Sequence, residues 1–581
     1  MMFFRIAEPT SLRGSLLSFV ALLGVVTQGA SQTLSSDKPQ SETVRGTVIN
    51  AVTQTPIPRA LVVTADNRAG VLTDGEGHFE ITLPAAESGS VAGGTIFSGL
   101  PLRSWRYARH GGNTHWFMAR KPGFLDDPNA RAHVASSSGD DLTIALMPEA
   151  IIKGRITVAS LDPALGITVQ LYLRQVRDGL PRWTPSTTAR ANSAGEFRFA
   201  ELQPGSYKLV TQEFMDNDPI TNIPGSQQYA FPPVYYPGVS DFSTASMVEL
   251  TAGQESQADI SLARQPYYAI KIPVAGAEIS GRLNVSVQGQ RGPGYSLGYN
   301  AAQQAIVGLL PNGTYLVEAS TFGKDSVSGN VSIRVTGAPV DGPALTLVQK
   351  SSLRLDVREE FTDTSIGWGS SGTWSDGKRT FSLHGPRTYL QATLESADDL
   401  AQPQSRSIRP PTGPNDDSLV IEDLSPGRYW LRLHTARGYI ASATQGSTDL
   451  LRQPLTIGSG SAAPIEVTVR DDEAELDGTI TTLAQPSAPG DESAERAPVW
   501  VYFIPLPGSS GEFTEFTSSG VEFTSLRMTP GDYRVLAFSA AQRRLPYRDA
   551  DAMKAYDSKG PVVHLAAGQK TTVRVETILS E

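Results

Sequence analysis

The sequence predicts an all-β chain made of tandem β-sandwich modules. Glycine and proline are frequent, at 54 and 40 of 581 residues, while 39% of residues are hydrophobic and 19% are charged. This composition indicates a turn-rich folded chain, because its strands are too apolar for disorder. The length exceeds what one hydrophobic core fills, roughly 250 to 300 residues, so we expect four to five domains.

A short motif that ends in tyrosine indicates that the chain is built from repeated modules. Its four copies are LQPGSY, LPNGTY, LSPGRY and MTPGDY, and their tyrosines are Tyr207, Tyr315, Tyr429 and Tyr533. The intervals of 108, 114 and 104 residues match one small β-sandwich per copy, rather than a stacked repeat of roughly 20 to 50 residues. We therefore expect separate modules that follow one another like beads.

The proline and glycine of the motif predict a tight turn. Proline fixes φ at the first central position of a turn, and glycine tolerates positive φ at the second. The stretches on either side, such as 197–202 and 207–210, alternate with period two, as half-buried strands do. Each copy is thus predicted to be a β-hairpin with a buried tyrosine ring whose hydroxyl bonds to the backbone.

A second hairpin is expected to close several modules. The stretches 248–262 and 562–576 share a strand, a glycine turn and another strand, and 455–469 is a looser copy. Few stretches of the sequence show a helical pattern, and the best candidate is 549–559.

The N-terminal residues predict export from the cytoplasm. Arg5 and Arg13 precede an apolar run over 16–26, and Ala30 and Ser31 offer the small residues of a cleavage site. An uncleaved membrane anchor is the alternative, although the run is about half the length that a spanning helix needs. The predicted ranges are a signal peptide at 1–31, a linker at 32–42, module 1 at 43–148, module 2 at 149–264, module 3 at 265–348, module 4 at 349–472 and module 5 at 473–581.

Composition also excludes several function classes. Cysteine is absent, so disulfide bridges, a catalytic thiol and a lipid-modified cysteine are excluded. The net charge of -10 argues against nucleic acid or an anionic membrane as partner. No later segment looks like a transmembrane helix. The expected location is extracytoplasmic: periplasmic, cell-surface or secreted.

The start of module 1 carries a resemblance to a known family. Residues 44–84 contain G-x-V, then P-I-P-x-A, then T-D-x-x-G-x-F. This order resembles the carboxypeptidase regulatory-like domain, a transthyretin-like β-sandwich that is also similar to Cna-B type repeats and to multi-module exported bacterial proteins. The stretches 119–124 and 142–148 resemble that family's later strands, after an insertion at about 85–115. The resemblance implies an accessory, non-catalytic domain, and the fold is shared with carbohydrate-binding modules.

Catalytic and metal-binding signals are weak throughout the sequence. His110 and His115 lie in a glycine-rich stretch without the spacing of a zinc site. The stretch 73–79 looks like half a calcium loop but lacks the distal glutamate, so it is interpreted as a turn. The acidic run 471–477 is interpreted as a solvated linker, with calcium between modules as the alternative. We expect no catalytic residue, no metal and no cofactor.

Exposed aromatic residues give the candidate binding site. Because side chains alternate along a strand, Tyr429 and Leu431 face the core while Trp430 and Arg432 face away from it. Trp500 alternates in the same way in module 5. Trp430, Arg432 and Trp500 are therefore the predicted binding residues, since an outward tryptophan can stack on a sugar. Covering a neighbouring module is the alternative role for these side chains.

The predicted function is non-catalytic binding or interaction outside the cytoplasm. Carbohydrate is the favoured ligand because of the fold, and the expected partners are a polysaccharide or a cell-surface protein. A structural or scaffolding chain is the alternative, and an undetected hydrolase is a third.

Overall fold

The computed structural model describes most of the chain between residues 42 and 579. The described ranges are 42–64, 67–83, 114–125, 131–135, 142–158, 166–216, 226–287, 294–322, 326–362, 370–375, 378–383, 390–397, 404–406, 408–409, 419–435, 437–458, 463–481, 498–518, 520–542 and 544–579. Within these ranges regular structure is almost entirely β-strand, so the predicted all-β class is confirmed. The predicted signal peptide at 1–31 and nearly all of the linker lie outside the described residues and stay predictions.

Module 1 contains two facing sheets. Its strands are β1 (Glu42–Asn50), β2 (Leu61–Thr64), β3 (Gly70–Leu72), β4 (His78–Leu83), β5 (Thr114–Arg120), β6 (Arg131–Ala135) and β7 (Leu142–Leu146). One sheet has the order β4-β1-β7 and the other β3-β2-β5-β6. The apolar side chains of β4 alternate with exposed ones, and Val48, Val62 and Phe117 are among the fully buried residues between the sheets.

Module 2 repeats this arrangement with longer strands. They are β8 (Ala150–Val158), β9 (Thr168–Arg177), β10 (Leu180–Arg190), β11 (Glu196–Leu202), β12 (Gly205–Thr211), β13 (Phe214–Met215), β14 (Gln228–Phe231), β15 (Val248–Leu250), β16 (Glu255–Gln257) and β17 (Ile260–Leu262). The sheets are β10-β9-β12-β15 and β11-β8-β16, with β17 also on β8. The long connection before β15 packs Tyr235 and Phe242 against Tyr172 and Val210.

Module 3 is joined to module 2 by a continuous sheet. Its strands are β18 (Gln265–Gly276), β19 (Asn284–Val287), β20 (Leu297–Asn300), β21 (Ala305–Pro311), β22 (Gly313–Ser320), β23 (Val327–Val335), β24 (Val340–Asp341) and β25 (Leu345–Gln349). Strand β14 of module 2 pairs with β18, so hydrogen bonds cross the predicted boundary at residue 264. The sheet continues in the order β13-β14-β18-β25-β23-β22-β19.

Module 4 again has two large sheets. Its strands are β26 (Ser351–Glu360), β27 (Ser370–Ser375), β28 (Lys378–Leu383), β29 (Leu390–Ser396), β30 (Gln404–Arg406), β31 (Ile408–Arg409), β32 (Leu419–Leu424), β33 (Gly427–Thr435), β34 (Tyr439–Gln445), β35 (Thr448–Asp449), β36 (Leu455–Ile457) and β37 (Ile465–Arg470). Their orders are β31-β32-β26-β37-β34-β35 and β30-β29-β33-β36, and β27 pairs with β28.

Module 5 carries the helical segment that the sequence indicated at 549–559. Its strands are β38 (Ala474–Thr481), β39 (Val499–Pro505), β40 (Thr514–Ser518), β41 (Glu522–Met528), β42 (Gly531–Phe538), β43 (Val562–Leu565) and β44 (Lys570–Ile578). The sheet order is β40-β39-β42-β44-β38-β41, with β43 on β42. Helix α1 (Ala550–Met553) is capped by the preceding Asp549, whose carboxylate accepts hydrogen bonds from two backbone N–H groups.

The described parts of all five modules share one strand pattern. The first strand of each module lies between a strand from the end of the module, which is parallel to it, and a middle strand, which is antiparallel. The sets are β4-β1-β7, β11-β8-β16, β21-β18-β25, β32-β26-β37 and β41-β38-β44. The modules are therefore repeats of one topology, although their sequences differ.

The tyrosine motif is not a hairpin, which corrects the prediction from sequence. In module 2, β11 pairs with β8, whereas β12 pairs with β9 and β15 in the opposite sheet. The corresponding strands of modules 3, 4 and 5 are likewise not paired with each other. In modules 2 and 4 the motif carries the chain from one sheet to another, and in modules 3 and 5 it connects strands that are not neighbours in the sheet, so we call this connection the tyrosine corner. Period-two alternation arises in a corner as well as in a hairpin, because both strands have one buried face.

The closing stretches are corners as well. Strand β15 pairs with β12, but β16, a few residues later, pairs with β8. Strands β36 and β37 of module 4 are split between two sheets in the same way. In module 5, β43 pairs with β42 and β44 pairs with β38. The glycine turns in these stretches therefore connect strands that are not neighbours, and the predicted closing hairpins are wrong.

Candidate inter-module interface

The same hydrogen bond occurs in each of the four tyrosine corners. Each tyrosine hydroxyl donates to the carbonyl oxygen of the residue four positions earlier. The distances are 2.7 Å for Tyr207 to Gln203, 2.9 Å for Tyr315 to Pro311, 3.0 Å for Tyr429 to Ser425 and 2.6 Å for Tyr533 to Thr529. The predicted bond from the hydroxyl to the backbone is confirmed, and it holds the two sides of the corner together.

The four rings are not equally buried. Tyr207 and Tyr533 are fully buried and Tyr315 is nearly so, while Tyr429 is half-buried at the edge of its core. Burial raises the pKa of Tyr207 to about 12, because the charged phenolate loses its hydration inside the module. The corner tyrosine of module 2 is thus held neutral well above ordinary pH.

The residue after each corner tyrosine faces away from the core, as predicted, but it is covered in several modules. Lys208 is buried beneath the long connection of module 2, where its ammonium group donates to the carbonyl of Phe242 at 2.7 Å. Arg534 contacts Asp557 beside the helical segment of module 5. Trp430 is the equivalent residue in module 4, and it is half-buried. The outer face of these strands is therefore used for packing.

Glu395 lies opposite Trp430 on the same outer face and joins three modules. It is paired with Trp430 across β29 and β33. Its carboxylate accepts a hydrogen bond from Arg182 of module 2, and the two side chains are only 5% and 7% exposed. The second carboxylate oxygen accepts from Arg548 of module 5 at 2.9 Å. One buried carboxylate thus binds a guanidinium from each of two other modules.

Asp178 completes this contact between modules 2 and 5. Arg548 donates to its carboxylate at 2.6 Å, and the hydroxyl of Tyr547 also donates to it. The backbone N–H of Arg548 donates to the carbonyl of Gly179 at 3.0 Å. Gly179 has φ of +72° and lies against the Tyr547 ring, where an added Cβ would come within 2.8 Å. The close approach of module 5 therefore requires glycine at this position.

Arg432 belongs to the same group of charges. Burial, and then the positive charge of Arg548, lowers the pKa of its guanidinium. The guanidinium also lies 5.7 Å from the centre of the Trp430 ring. We name Asp178, Arg182, Glu395, Arg432, Tyr547 and Arg548 the three-module junction.

A second contact reaches the tyrosine corner of module 2. Arg544 of module 5 donates to the side-chain oxygen of Gln203 at 2.9 Å and to the carbonyl of Pro204 at 3.3 Å. Gln203 is also the residue whose carbonyl accepts from Tyr207. The segment that follows β42 therefore contacts module 2 at the corner as well as at the three-module junction.

Trp500 does not face an open surface. It is half-buried against a second apolar cluster of module 5 that contains Tyr502, Leu536, Phe538 and Leu545. This cluster lies between the sheet and the segment that contains the helix. The tryptophan therefore packs within its own module, which is neither the predicted binding role nor the alternative of covering a neighbouring module.

Modules 3 and 4 meet at another buried charge. Lys350 lies at the predicted boundary between them, with its side chain only 2% exposed. Its ammonium group is 3.1 Å from a carboxylate oxygen of Asp423, and it donates to the carbonyl of Thr321 at 2.7 Å. Ser326 of module 3 also donates to Asp423. Consecutive modules are thus connected through charged side chains as well as through the chain.

The acidic run 471–477 is not a free linker. Asp471 binds Arg437 at 3.2 Å, and Asp472 binds Arg470 and accepts from the hydroxyl of Tyr439 at 3.0 Å. The last four residues of the run belong to β38. The solvated-linker interpretation is therefore wrong, because Asp471 and Asp472 bind side chains of module 4 and the rest of the run leads into the first strand of module 5.

The described residues contain neither a cluster of metal ligands nor a membrane-spanning helix. Among these, no three His, Cys, Asp or Glu side chains are placed to hold a metal ion. His110 and the side chain of His115 are outside the described part. In the described ranges, no helix has both the length and the apolar character needed to cross a membrane.

The contacts correct the prediction of independent beads. Arg182, Glu395 and Arg548 belong to modules that are not all consecutive, yet they share one buried group of ion pairs. In a string of beads such residues would be solvated. The described chain instead folds back so that module 2 contacts modules 4 and 5.

The fold and its contacts define a multi-module all-β protein with charged inter-module interfaces. Neither known protein families nor curated proteins match the sequence. The resemblance of module 1 to the carboxypeptidase regulatory-like domain therefore stays a prediction.

Several solved structures are similar in part. The TIE protein of Bacillus anthracis is 8% identical over 74% of this chain and 67% of its own, with a TM-score of 0.15. A streptococcal ancillary pilin is 11% identical over 52% of this chain and 99% of its own, with a TM-score of 0.17. The minor pilin of Streptococcus agalactiae is 12% identical over 41% of this chain and all of its own, with a TM-score of 0.17. These scores are too low to support any inference about function.

Proposed function

We propose that this chain is a non-catalytic, extracytoplasmic scaffold in which modules 2, 4 and 5 dock into one body. The observation that carries the proposal is the burial of Glu395 between Arg182 and Arg548. The carboxylate keeps both partners only while the three modules are docked, and removing one partner from such a buried pair is strongly destabilising. Charged groups that are buried in this way fix the relative orientation of the surfaces they join.

Two further features support a rigid scaffold. The sheet of module 3 includes strands from module 2, which restricts hinge motion between them. The buried ion pair between Lys350 and Asp423 lies at the boundary between modules 3 and 4. A chain with contacts at successive boundaries can hold its other surfaces at a fixed distance from one another. The partner is expected to be a surface protein or polymer bound by those surfaces.

Carbohydrate binding at Trp430 and Arg432 is not part of this proposal. A sugar platform needs an open aromatic face, whereas Trp430 on the outer face of β33 is half-buried and lies opposite the buried Glu395 of β29. Burial, and then the positive charge of Arg548, lowers the pKa of the Arg432 guanidinium, so this side chain is not an open hydrogen-bond donor. We propose instead that Trp430 and Arg432 contribute to docking between the modules.

Small-angle X-ray scattering of the full chain tests the proposal. We expect a compact particle, and we expect the radius of gyration to rise when Glu395→Gln is combined with Asp178→Asn. The matched control is Glu80→Gln, which removes an exposed ion pair with Arg45 inside module 1. A wild-type particle as extended as five independent beads would refute the scaffold. Specific binding to a polysaccharide that is lost in Trp430→Ala, with unchanged scattering, would favour the sugar function instead.

A further inference from the structure

A short segment of module 5, residues 544–548, fastens this module to module 2, and we name it the strap. Arg544 contacts the tyrosine corner of module 2, where it donates to the side-chain oxygen of Gln203 at 2.9 Å. Arg548 contacts the turn between β9 and β10, where it donates to the carboxylate of Asp178 at 2.6 Å. The strap therefore binds two separate loops of module 2.

The strap is anchored on module 5 by its apolar side chains. Leu545 is buried in the second apolar cluster of module 5. The ring of Tyr547 stacks on Phe513, with 3.7 Å between the ring centres and 6° between the ring planes. The hydrogen bonds from the strap to module 2 come instead from its two arginines and from the Tyr547 hydroxyl. The side of the strap that meets module 2 is therefore polar and charged.

The ion pair of the strap is more exposed than the pair that joins modules 2 and 4. The side chains of Asp178 and Arg548 are 54% and 17% exposed, whereas those of Arg182 and Glu395 are 7% and 5% exposed. Dissolved ions screen an exposed pair strongly and a buried pair much less, and the Debye length falls from about 30 Å at 0.01 M salt to about 3 Å at 1 M. Rising ionic strength should therefore weaken the strap before it weakens the contact between modules 2 and 4.

We propose that the strap is an electrostatic latch: raised ionic strength releases module 5 from module 2, while modules 2 and 4 stay docked through Arg182 and Glu395. In the open state Glu395 loses Arg548 but keeps Arg182, so its buried carboxylate is not left without a partner. An exposed ion pair contributes little free energy, so salt can shift the populations of the closed and open states. Opening uncovers the two loops of module 2 that the strap occupies, so the salt content of the surroundings controls access to them.

The latch rests on the proposed docking of modules 2, 4 and 5, but it makes a separate demand. The scaffold requires only that the three modules dock, whereas the latch requires that module 5 leaves first and alone. Asp178→Asn separates the two claims, because it removes the carboxylate that Arg548 binds in module 2 and leaves Glu395 in place. Asparagine tolerates the left-handed conformation of this turn position, where φ is +47°, so the variant should fold.

The experiment measures distances between two spin labels in the full chain by pulsed electron paramagnetic resonance, at sodium chloride concentrations from about 0.01 M to about 1 M. The protein has no cysteine, so engineered cysteines are the only sites that take a label. Ser193→Cys with Ser558→Cys reports on modules 2 and 5, and Ser193→Cys with Ser447→Cys reports on modules 2 and 4. All three serines are exposed. We expect salt to lengthen the first distance in most molecules and to leave the second unchanged.

In Asp178→Asn, the long distance between modules 2 and 5 should dominate already at about 0.01 M salt. The control is Glu196→Gln, which removes an exposed pair with Arg155 in the same module and should behave like wild type. If neither distance responds to salt or to Asp178→Asn, the latch is refuted and the scaffold stands. If both distances lengthen together, the three modules open as one unit, which also refutes the latch. Two long distances in wild type at low salt would refute the scaffold itself.

Discussion

Four tyrosines at equivalent positions differ in the free energy that their burial contributes. Tyr533 is fully buried and contacts the Phe503 ring edge-on, whereas Tyr429 is half-buried. Both donate the same hydrogen bond to the backbone four residues earlier. The cost of removing the side chain should therefore follow ring burial rather than the presence of the hydrogen bond.

We predict that Tyr533→Ala lowers the free energy of unfolding of module 5 by about 3 to 5 kcal/mol, the usual loss for a large buried aromatic residue. Tyr429→Ala should cost clearly less in module 4, because part of its ring is already in water. Tyr533→Phe removes only the hydroxyl and should cost about 1 kcal/mol. Scanning calorimetry of the three variants measures this order, and equal losses for both alanine variants would contradict it.

Alkaline pH provides a second test at the scale of a residue. The pKa of Tyr207 is raised from its ordinary value of 10.0 to about 12 in the folded state. A raised pKa gives stability that is fully present below pH 10 and is lost as the pH rises through 12. We predict that Tyr207→Phe, which has no proton to lose, reduces the fall in stability between pH 10 and 12. Urea titrations at several pH values measure this fall, and equal slopes in wild type and variant would contradict the assignment.

At the scale of the strand, a glycine beside a phenylalanine explains the G-x-V motif. Gly154 is paired directly with Phe197 across two strands, and Gly478 with Phe523. An added Cβ would come within 2.6 Å and 2.0 Å of the respective ring carbons. The aromatic ring lies over the glycine of the neighbouring strand and fills the space that a side chain would occupy. Module 1 has the same arrangement at Gly46.

We predict that Gly478→Ala destabilises module 5 by about 1 to 3 kcal/mol, because the ring of Phe523 must move from a packed position. Gly75→Ala is the control, since an added Cβ there meets no atom within 4 Å and φ is not in the left-handed region. It should change stability by less than about 0.5 kcal/mol. A Gly478→Ala variant that melts like wild type would show that the ring is not fixed over the glycine.

The sequence predicted the strands better than their connections. Period-two alternation around Tyr207 correctly indicated two half-buried strands. It did not distinguish a hairpin from a corner, because residues on both sides of either turn alternate in the same way. The tyrosine itself was a sequence signal for the corner. Its hydroxyl bonds to the carbonyl four residues earlier, and this bond holds the two sides of the corner together.

At the scale of the whole molecule, the junction could not be predicted from sequence. Alternation along β33 correctly placed Trp430 and Arg432 on the outer face, but an outer face is covered either by solvent or by another module. Arg182, Glu395 and Arg548 are far apart in the chain and follow no motif. Their meeting depends on the relative orientation of whole modules, which local patterns do not determine.

We predict that Glu395→Gln lowers the stability of the docked modules by about 3 to 5 kcal/mol, because it leaves the buried Arg182 without its carboxylate and leaves Arg548 with Asp178 alone. The melting transitions of modules 2, 4 and 5 should shift together. Glu80→Gln, which removes an exposed pair, should cost less than about 1 kcal/mol. A shift confined to the transition of module 4 would show that the modules unfold independently.

The most direct test of the docked arrangement is a double-mutant cycle between Arg182 and Glu395, which are 213 residues apart in sequence. Urea unfolding of wild type, Arg182→Met, Glu395→Gln and the double variant gives the interaction free energy. Tryptophan fluorescence reports the transition, since Trp183 and Trp430 adjoin the junction. We predict a coupling of about 1 to 3 kcal/mol. Effects that add to within about 0.5 kcal/mol would mean that the two side chains do not meet and that the modules are separate beads.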